Sequence, residues 1–316
     1  MTRQQADVPR GVQLAVKSAA LQARYERRGD RTDIDDAIKF ARAAVAALVG
    51  HPNRAMALTA LGIGLRTRYH LLSDPDDIIE AIGVLQCSLE LTHLHAVERL
   101  DRTYNLGAAY YQRYQHSRDP RDLEAAESAL AKVVAHTPDS QTRAMALSAL
   151  GLVKMANLRD RAEPQRGEVV DAAFECWRRA ATTTAADAQT RIVAATRWAH
   201  AAAEHSRSGD CFQAGIAAIE ALEALVWRGL TRRGQERHLA VWGTVTRDGA
   251  GAAVANGDAA AAVELLERGR AVLWAQQIRP RVAAQRLHAS CSDLADRLDA
   301  VRDQLDATGG DPAALD

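Results

Sequence analysis

Residues Arg54–Arg68 read RAMALTALGIGLRTR, and residues Arg143–Met155 read RAMALSALGLVKM. Between them Arg99–Tyr114, RLDRTYNLGAAYYQRY, is a looser copy. The Leu-Gly pair of the three copies falls at Leu61-Gly62, Leu106-Gly107 and Leu150-Gly151, spaced 45 and then 44 residues. Self-similarity at a fixed period of this size marks a repeat architecture built from supersecondary units, none of which can bury its apolar face alone. We take each copy as the first helix of a helical hairpin and read the chain as a series of such hairpins.

Outward from that stretch the pattern continues in both directions. Gly11–Arg28 is expected to be a first helix, ended by the turn Gly29-Asp30, after residues 1–12 that read as a polar, flexible N-terminus. Ile34, Ala37, Ile38, Ala41, Val45 and Leu48 then follow the 3,4 spacing of a buried helical stripe. Ile78, Ala81, Ile82, Leu85 and Leu89 do the same in the second hairpin, and Leu123, Ala126, Leu130 and Val133 in the third. An aspartate sits between the two helices of each pair, at Asp30, Asp74 and Asp119, followed by proline in Asp74-Pro75 and Asp119-Pro120. Aspartate accepts from the orphan N–H groups of a helix start and proline has no N–H to lose there, so these are caps, not catalytic acids. A fourth hairpin is expected from Arg143–Leu158 and Val169–Ala181, and a fifth from about Ala186 to Trp227. A sixth follows, with its first helix over Gln235–Asn256, and then a C-terminal helix over Ser292–Leu305.

Composition narrows the function. Forty basic and forty acidic residues cancel, so the chain lacks the basic excess of a nucleic-acid binder. No run reaches the ~18 apolar residues that span a bilayer, and MTRQQADVPRG has no apolar core of a secretory signal, so no membrane partner and a cytoplasmic location are expected. Cys87, Cys176, Cys211 and Cys291 lie at least 35 residues apart without a C-x-x-C, which reads as four reduced thiols. His200 and His205, five apart on a helix, point about 140° from each other and cannot share a metal as the two histidines of HExxH do. His93 and His95 fall in an inter-repeat loop. With no phosphate-cradling glycine loop, no G-x-S-x-G and no paired carboxylates, the expectation is a non-enzyme without cofactor, metal or catalytic residues.

The third copy carries Leu106-Gly107-x-x-Tyr110, then Ala126 and Pro138, an order that resembles the tetratricopeptide pattern. The period exceeds the roughly 34 residues of that repeat because segments such as Arg24–Asp30 and Arg113–Asp119 lengthen the turn, with Tyr25, Tyr69 and Tyr114 in equivalent places. Residues 262–277, AVELLERGRAVLWAQQ, followed by Ser292-Asp293-Leu294-Ala295-Asp296-Arg297-Leu298, resemble the segment that closes the repeat array of actinobacterial CHAT-domain proteins. The resemblance implies an all-α, right-handed α-solenoid of about six helical hairpins over residues 13–280, with residues 281–316 as a C-terminal helix and linker toward a downstream effector domain. That domain would carry the protease-like chemistry, and none of its residues is present here. The expected function is a non-catalytic protein- or peptide-binding scaffold and regulatory module, the alternative being a ligand-sensing domain of a transcriptional or signalling regulator.

In stacked hairpins the first helices line a concave groove that takes a protein or peptide. Transferring the tetratricopeptide groove positions relative to each Leu-Gly gives Met56, Thr59, Ile63 and Arg66; Tyr104, Asn105, Tyr111 and Gln112; and Met145, Ser148, Leu152 and Met155. The alternative for several of these is packing against the neighbouring repeat.

Overall fold

A computed structural model describes residues 3–92, 98–160, 165–226, 246–255, 257–271 and 289–307. Among them every regular element is helical. In chain order these are α1 (Arg3–Arg28), α2 (Arg31–Ala47), α3 (Arg54–Leu72), α4 (Pro75–Glu90), α5 (Glu98–Ser117), α6 (Pro120–His136) and α7 (Gln141–Ala156). A 3-10 turn over Asn157–Asp160 leads to α8 (Gln165–Thr182), α9 (Ala188–Glu204) and α10 (Ser208–Val226). Helical residues 246–255 and 259–271 are α11 and α12, and α13 is Ser292–Ala307. The chain divides between Cys176 and Trp177 into two compact units, and α8 runs through the division.

In the first unit each helix from α1 to α6 packs on the next one in sequence, as expected of hairpins laid side by side. The odd helices also touch one another, α1 to α3, α3 to α5 and α5 to α7, whereas among the described residues no comparable packing joins α2 to α4 or α4 to α6. The odd helices therefore lie on the inner side of this unit. Its core is continuous across hairpins: Ile34 and Ile38 of α2, Leu61 and Leu65 of α3, Ile78 and Leu85 of α4 and Leu106 of α5 form one buried cluster. Burial of each such side chain contributes about 1.5–3 kcal/mol.

The Leu-Gly pair works as a packing device. A Cβ on Gly62 would meet Leu85 Cγ at 2.6 Å, and one on Gly107 would meet Leu130 Cγ at 3.1 Å, so glycine lets the paired helix seat a fully buried leucine against the backbone. The caps also form as expected: the carboxylates of Asp30, Asp74 and Asp119 accept from the backbone N–H of Thr32, Asp76 and Arg121 at 3.0, 3.1 and 3.0 Å. Immediately before each cap the chain passes through the left-handed region at Gly29 (φ 73°), Ser73 (φ 57°) and Arg118 (φ 58°), whose N–H groups close onto the carbonyls of Tyr25, Tyr69 and Tyr114.

A second aspartate, not singled out from the sequence, does more. Asp33, Asp77 and Asp122 occupy the first turn of α2, α4 and α6 and are buried. Each receives a two-pronged bond from an arginine nine residues earlier, near the end of the preceding odd helix. Arg68 Nε and Nη2 reach Asp77 at 2.8 and 2.6 Å, Arg113 reaches Asp122 at 2.8 and 2.5 Å, and Arg24 grips Asp33 in the same way. The three arginines adjoin Tyr25, Tyr69 and Tyr114, so the clasp recurs with the repeat. Hydrogen bonding to the aspartates raises all three guanidinium pKa values.

The N-terminus differs from expectation. α1 begins at Arg3 rather than near Gly11, because Val8 and Val12 pack on Ala15, Ala44, Leu48 and Ala57, and Gly11 lies close against Leu48. Residues 3–12 are thus helical and continuous with the rest of α1.

In the second unit α9 packs on α10 through Ile192, Ala221 and Leu222, and Ile219 of α10 joins Ala250, Ala253, Ala262 and Leu265 of α11 and α12. Trp198-Ala199 stand where the earlier copies have Leu-Gly, and Trp198 is 3% exposed. The described part of the expected Gln235–Asn256 helix is 246–255, and the LLERGR stretch is helical as far as residue 271. His93, His95 and residues 308–316 lie outside the described residues. No described helix is long and apolar enough to cross a membrane.

Gly62→Ala should cost about 1–3 kcal/mol through overpacking against Leu85. Gly83, on α4 with nothing within 4 Å of an added Cβ, should gain about 0.5–1 kcal/mol as alanine. Chemical denaturation of the two variants measures the opposite signs. Ser73→Gly relieves a left-handed serine and should raise stability by about 0.5–1 kcal/mol in the same assay.

Candidate functional site

The odd-helix face of the first unit opens into a pocket of about 460 Å³, and every residue lining it comes from α1, α3, α5 or α7. α3 supplies Ile63, Arg66, Thr67 and His70, and α5 supplies Asp101, Tyr104, Asn105 and Gln112. Tyr25 and Glu26 border it from α1, Thr142 and Met145 from α7. The lining joins residues of four successive hairpins, which the contacts α1–α3, α3–α5 and α5–α7 hold in place.

Arg66 is the organising side chain. Its Nε donates to Gln112 Oε1 and its Nη1 to Asn105 Oδ1, both at 2.9 Å, tying α3 to α5. Asn105 is itself fixed, since its Nδ2 donates to the Asp101 carbonyl at 2.9 Å. Desolvation lowers the Arg66 pKa, partly offset by Tyr104, and the guanidinium stays charged because arginine does not give up its proton in proteins. By exposed area Arg66 is half-buried; the direction of its pKa shift reflects the protein packed around the head group. Thr142 donates to Asp101 Oδ1 at 2.5 Å, fixing α7 to α5, and Thr67 donates back to the Ile63 carbonyl at 3.0 Å.

Of the residues transferred from the tetratricopeptide groove, Ile63, Arg66, Tyr104, Asn105, Gln112 and Met145 line this pocket. The others are elsewhere. Thr59 is spent inside the fold: it donates to the Ala55 carbonyl at 2.9 Å, shares a 2.8 Å bond with Ser88 and accepts from Arg102 Nε at 3.2 Å. Ser148 is 3% exposed and presents no surface to a partner. Tyr111 stacks near Tyr114, with ring centroids 6.4 Å apart. Met56, Leu152 and Met155 do not line the pocket.

Tyr25, Glu26, Thr67, His70, Asp101 and Thr142 line it without having been picked out. Tyr25, Glu26 and His70 belong to the extra length that takes the period beyond the ordinary repeat, so positions counted from Leu-Gly stop short of them. The recurring Arg-Tyr was the available signal.

The lining offers one guanidinium, two phenols, amides, hydroxyls, an imidazole and two carboxylates, all groups that bind by hydrogen bonding and charge. Among the described residues no cluster of three histidine, cysteine or carboxylate groups could hold a metal ion. His200 is exposed on α9, and His205 lies just beyond the end of that helix.

No family model matches the sequence, and no curated protein matches it closely enough to count as a relative.

Arg66 and Arg68 make opposite predictions. Arg68→Met strands the buried Asp77 carboxylate and should cost about 2–3 kcal/mol, reduced from the fully buried case because Arg68 is 25% exposed. Arg66→Met removes a desolvated charge with only amide partners and should change stability by no more than about 1 kcal/mol. Chemical unfolding midpoints of the two variants test this; an equal loss at both would make Arg66 a structural strut.

Proposed function

We propose that the first unit is a protein- or peptide-binding module of tetratricopeptide type, a non-catalytic scaffold with a regulatory role, in a right-handed superhelical array. The observation that carries this reading is the pocket itself: it is built solely from odd helices and spans four hairpins. An extended segment crossing several repeats meets such a face at successive helices. Tyr104 and Met145 supply the aromatic and adaptable contacts found at energetic centres of interfaces. The similarity of residues 262–277 and 292–298 to the closing segment of CHAT-associated arrays supports a role in passing occupancy on to an effector.

A second reading, sensing of a small ligand in a transcriptional or signalling regulator, draws on the pocket volume of about 460 Å³, which falls within the range of small-molecule sites. Selection of peptides from a displayed random library, beside a thermal-shift screen of small metabolites, separates the two. On the peptide reading, selected peptides lose roughly ten-fold or more in affinity on Tyr104→Ala and Met145→Ala, while Tyr111→Ala, outside the pocket, has little effect. Peptides that bind all three variants like the parent protein count against this face.

A further inference from the structure

Arg66 differs from the arginines around it in what it touches. Arg24, Arg68 and Arg113 each deliver two nitrogens to a buried carboxylate. Arg66 meets only the amide oxygens of Asn105 and Gln112, and among the described residues no carboxylate pairs with it. Amide oxygens satisfy N–H groups but leave the charge uncompensated, which is costly for a half-buried cation. The two amides also orient the fork: Nε and Nη1 are held, while Nη2 has no hydrogen-bond partner among the described residues and is not among the fully buried unsatisfied atoms. An arginine that lines a pocket with its plane fixed and N–H capacity to spare is prearranged for an anionic, planar acceptor.

Two carboxylates also line the pocket, and they set what kind of anion fits. Glu26 and Asp101 are exposed, and Asp101 already accepts from Thr142. Standing in water they leave Arg66 unpaired, yet they oppose a ligand carrying several negative charges.

Building on the binding-module reading above, we propose that this pocket seats a single carboxylate of an extended peptide on Arg66, within a segment whose neighbouring residues are neutral or basic. Tyr104 and Met145 then meet the side chains beside the carboxylate, and Glu26 and Asp101 select against acidic tracts and phosphate runs.

The probes are amide-capped nonapeptide pools with random neutral or lysine flanks around a fixed centre of glutamate, glutamine or phosphoserine. One further pool has acidic flanks, and another has only a free C-terminal carboxylate. Binding is read by fluorescence polarisation at low salt. The glutamate-centred pool should bind roughly ten-fold tighter than the glutamine pool. On Arg66→Gln that difference should fall to within about two-fold, and Arg66→Lys, which keeps charge without the fork, should be intermediate. The free-terminus pool tells a side-chain carboxylate from a terminal one.

Equal binding of the glutamate and glutamine pools to the parent protein overturns the carboxylate assignment and leaves the binding module standing. So does tighter binding of the phosphoserine or acidic-flank pools, or a preference that survives Arg66→Gln. If no pool binds, the module reading falls and this inference with it. The pool comparison on the parent protein decides the matter even where a variant does not fold.

Discussion

A guanidinium in the last turns of one helix, gripping a carboxylate in the first turn of the next, fixes the angle of each hairpin in the first unit. Arg24–Asp33, Arg68–Asp77 and Arg113–Asp122 repeat that arrangement across three successive turns. The aspartates are favourably placed in more than one way, since they also sit at the positive end of the even helix. A buried ion pair adds little net stability over a well-packed apolar pair, because desolvation consumes most of the attraction. Its effect is on register: two parallel N–H···O bonds tolerate neither a rotated helix nor a slipped one. With the hairpin angle set, the left-handed residue and the capping aspartate between the helices have one geometry to satisfy.

Close packing follows from that angle. Gly62 and Gly107 let Leu85 and Leu130 press onto the backbone of α3 and α5, and Ala57, Ala109 and Ala146 of the odd helices are fully buried. A larger residue at either glycine would push the even helix off its odd partner. The pocket lies on the odd-helix face, furnished with polar groups where those helices meet.

Much of this was legible in the residues. The Leu-Gly echo gave the period, the 3,4 stripes gave the even helices, and Asp30, Asp74 and Asp119 were readable as caps because their chemistry acts within two residues. The clasp was hidden because its partners, nine apart, belong to different helices and meet only once the turn has closed. α1 hid its first turns because Val8 and Val12 are isolated apolar residues in a polar stretch, and only packing against the cluster of Ala15, Ala44, Leu48 and Ala57 gives them a role. Two of the groove candidates missed the pocket for a related reason. Thr59 and Ser148 occupy positions that face outward in a shorter repeat, but here Ser88 and Arg102 take up the Thr59 hydroxyl and Ser148 is enclosed.

The helices of the first unit meet their sequence neighbours, and the Arg66–Gln112 bond spans 46 residues. Such a chain needs no distant loop to close before it gains contacts, so it can begin folding at any hairpin and fray at one end while the middle stays intact. Elements four helices apart are then coupled only through those between them. The pocket is the exception, because α1, α3, α5 and α7 all border the same space. Whatever fills it spans helices that otherwise communicate hairpin by hairpin, and converts a row of separately melting pieces into a body that opens all at once.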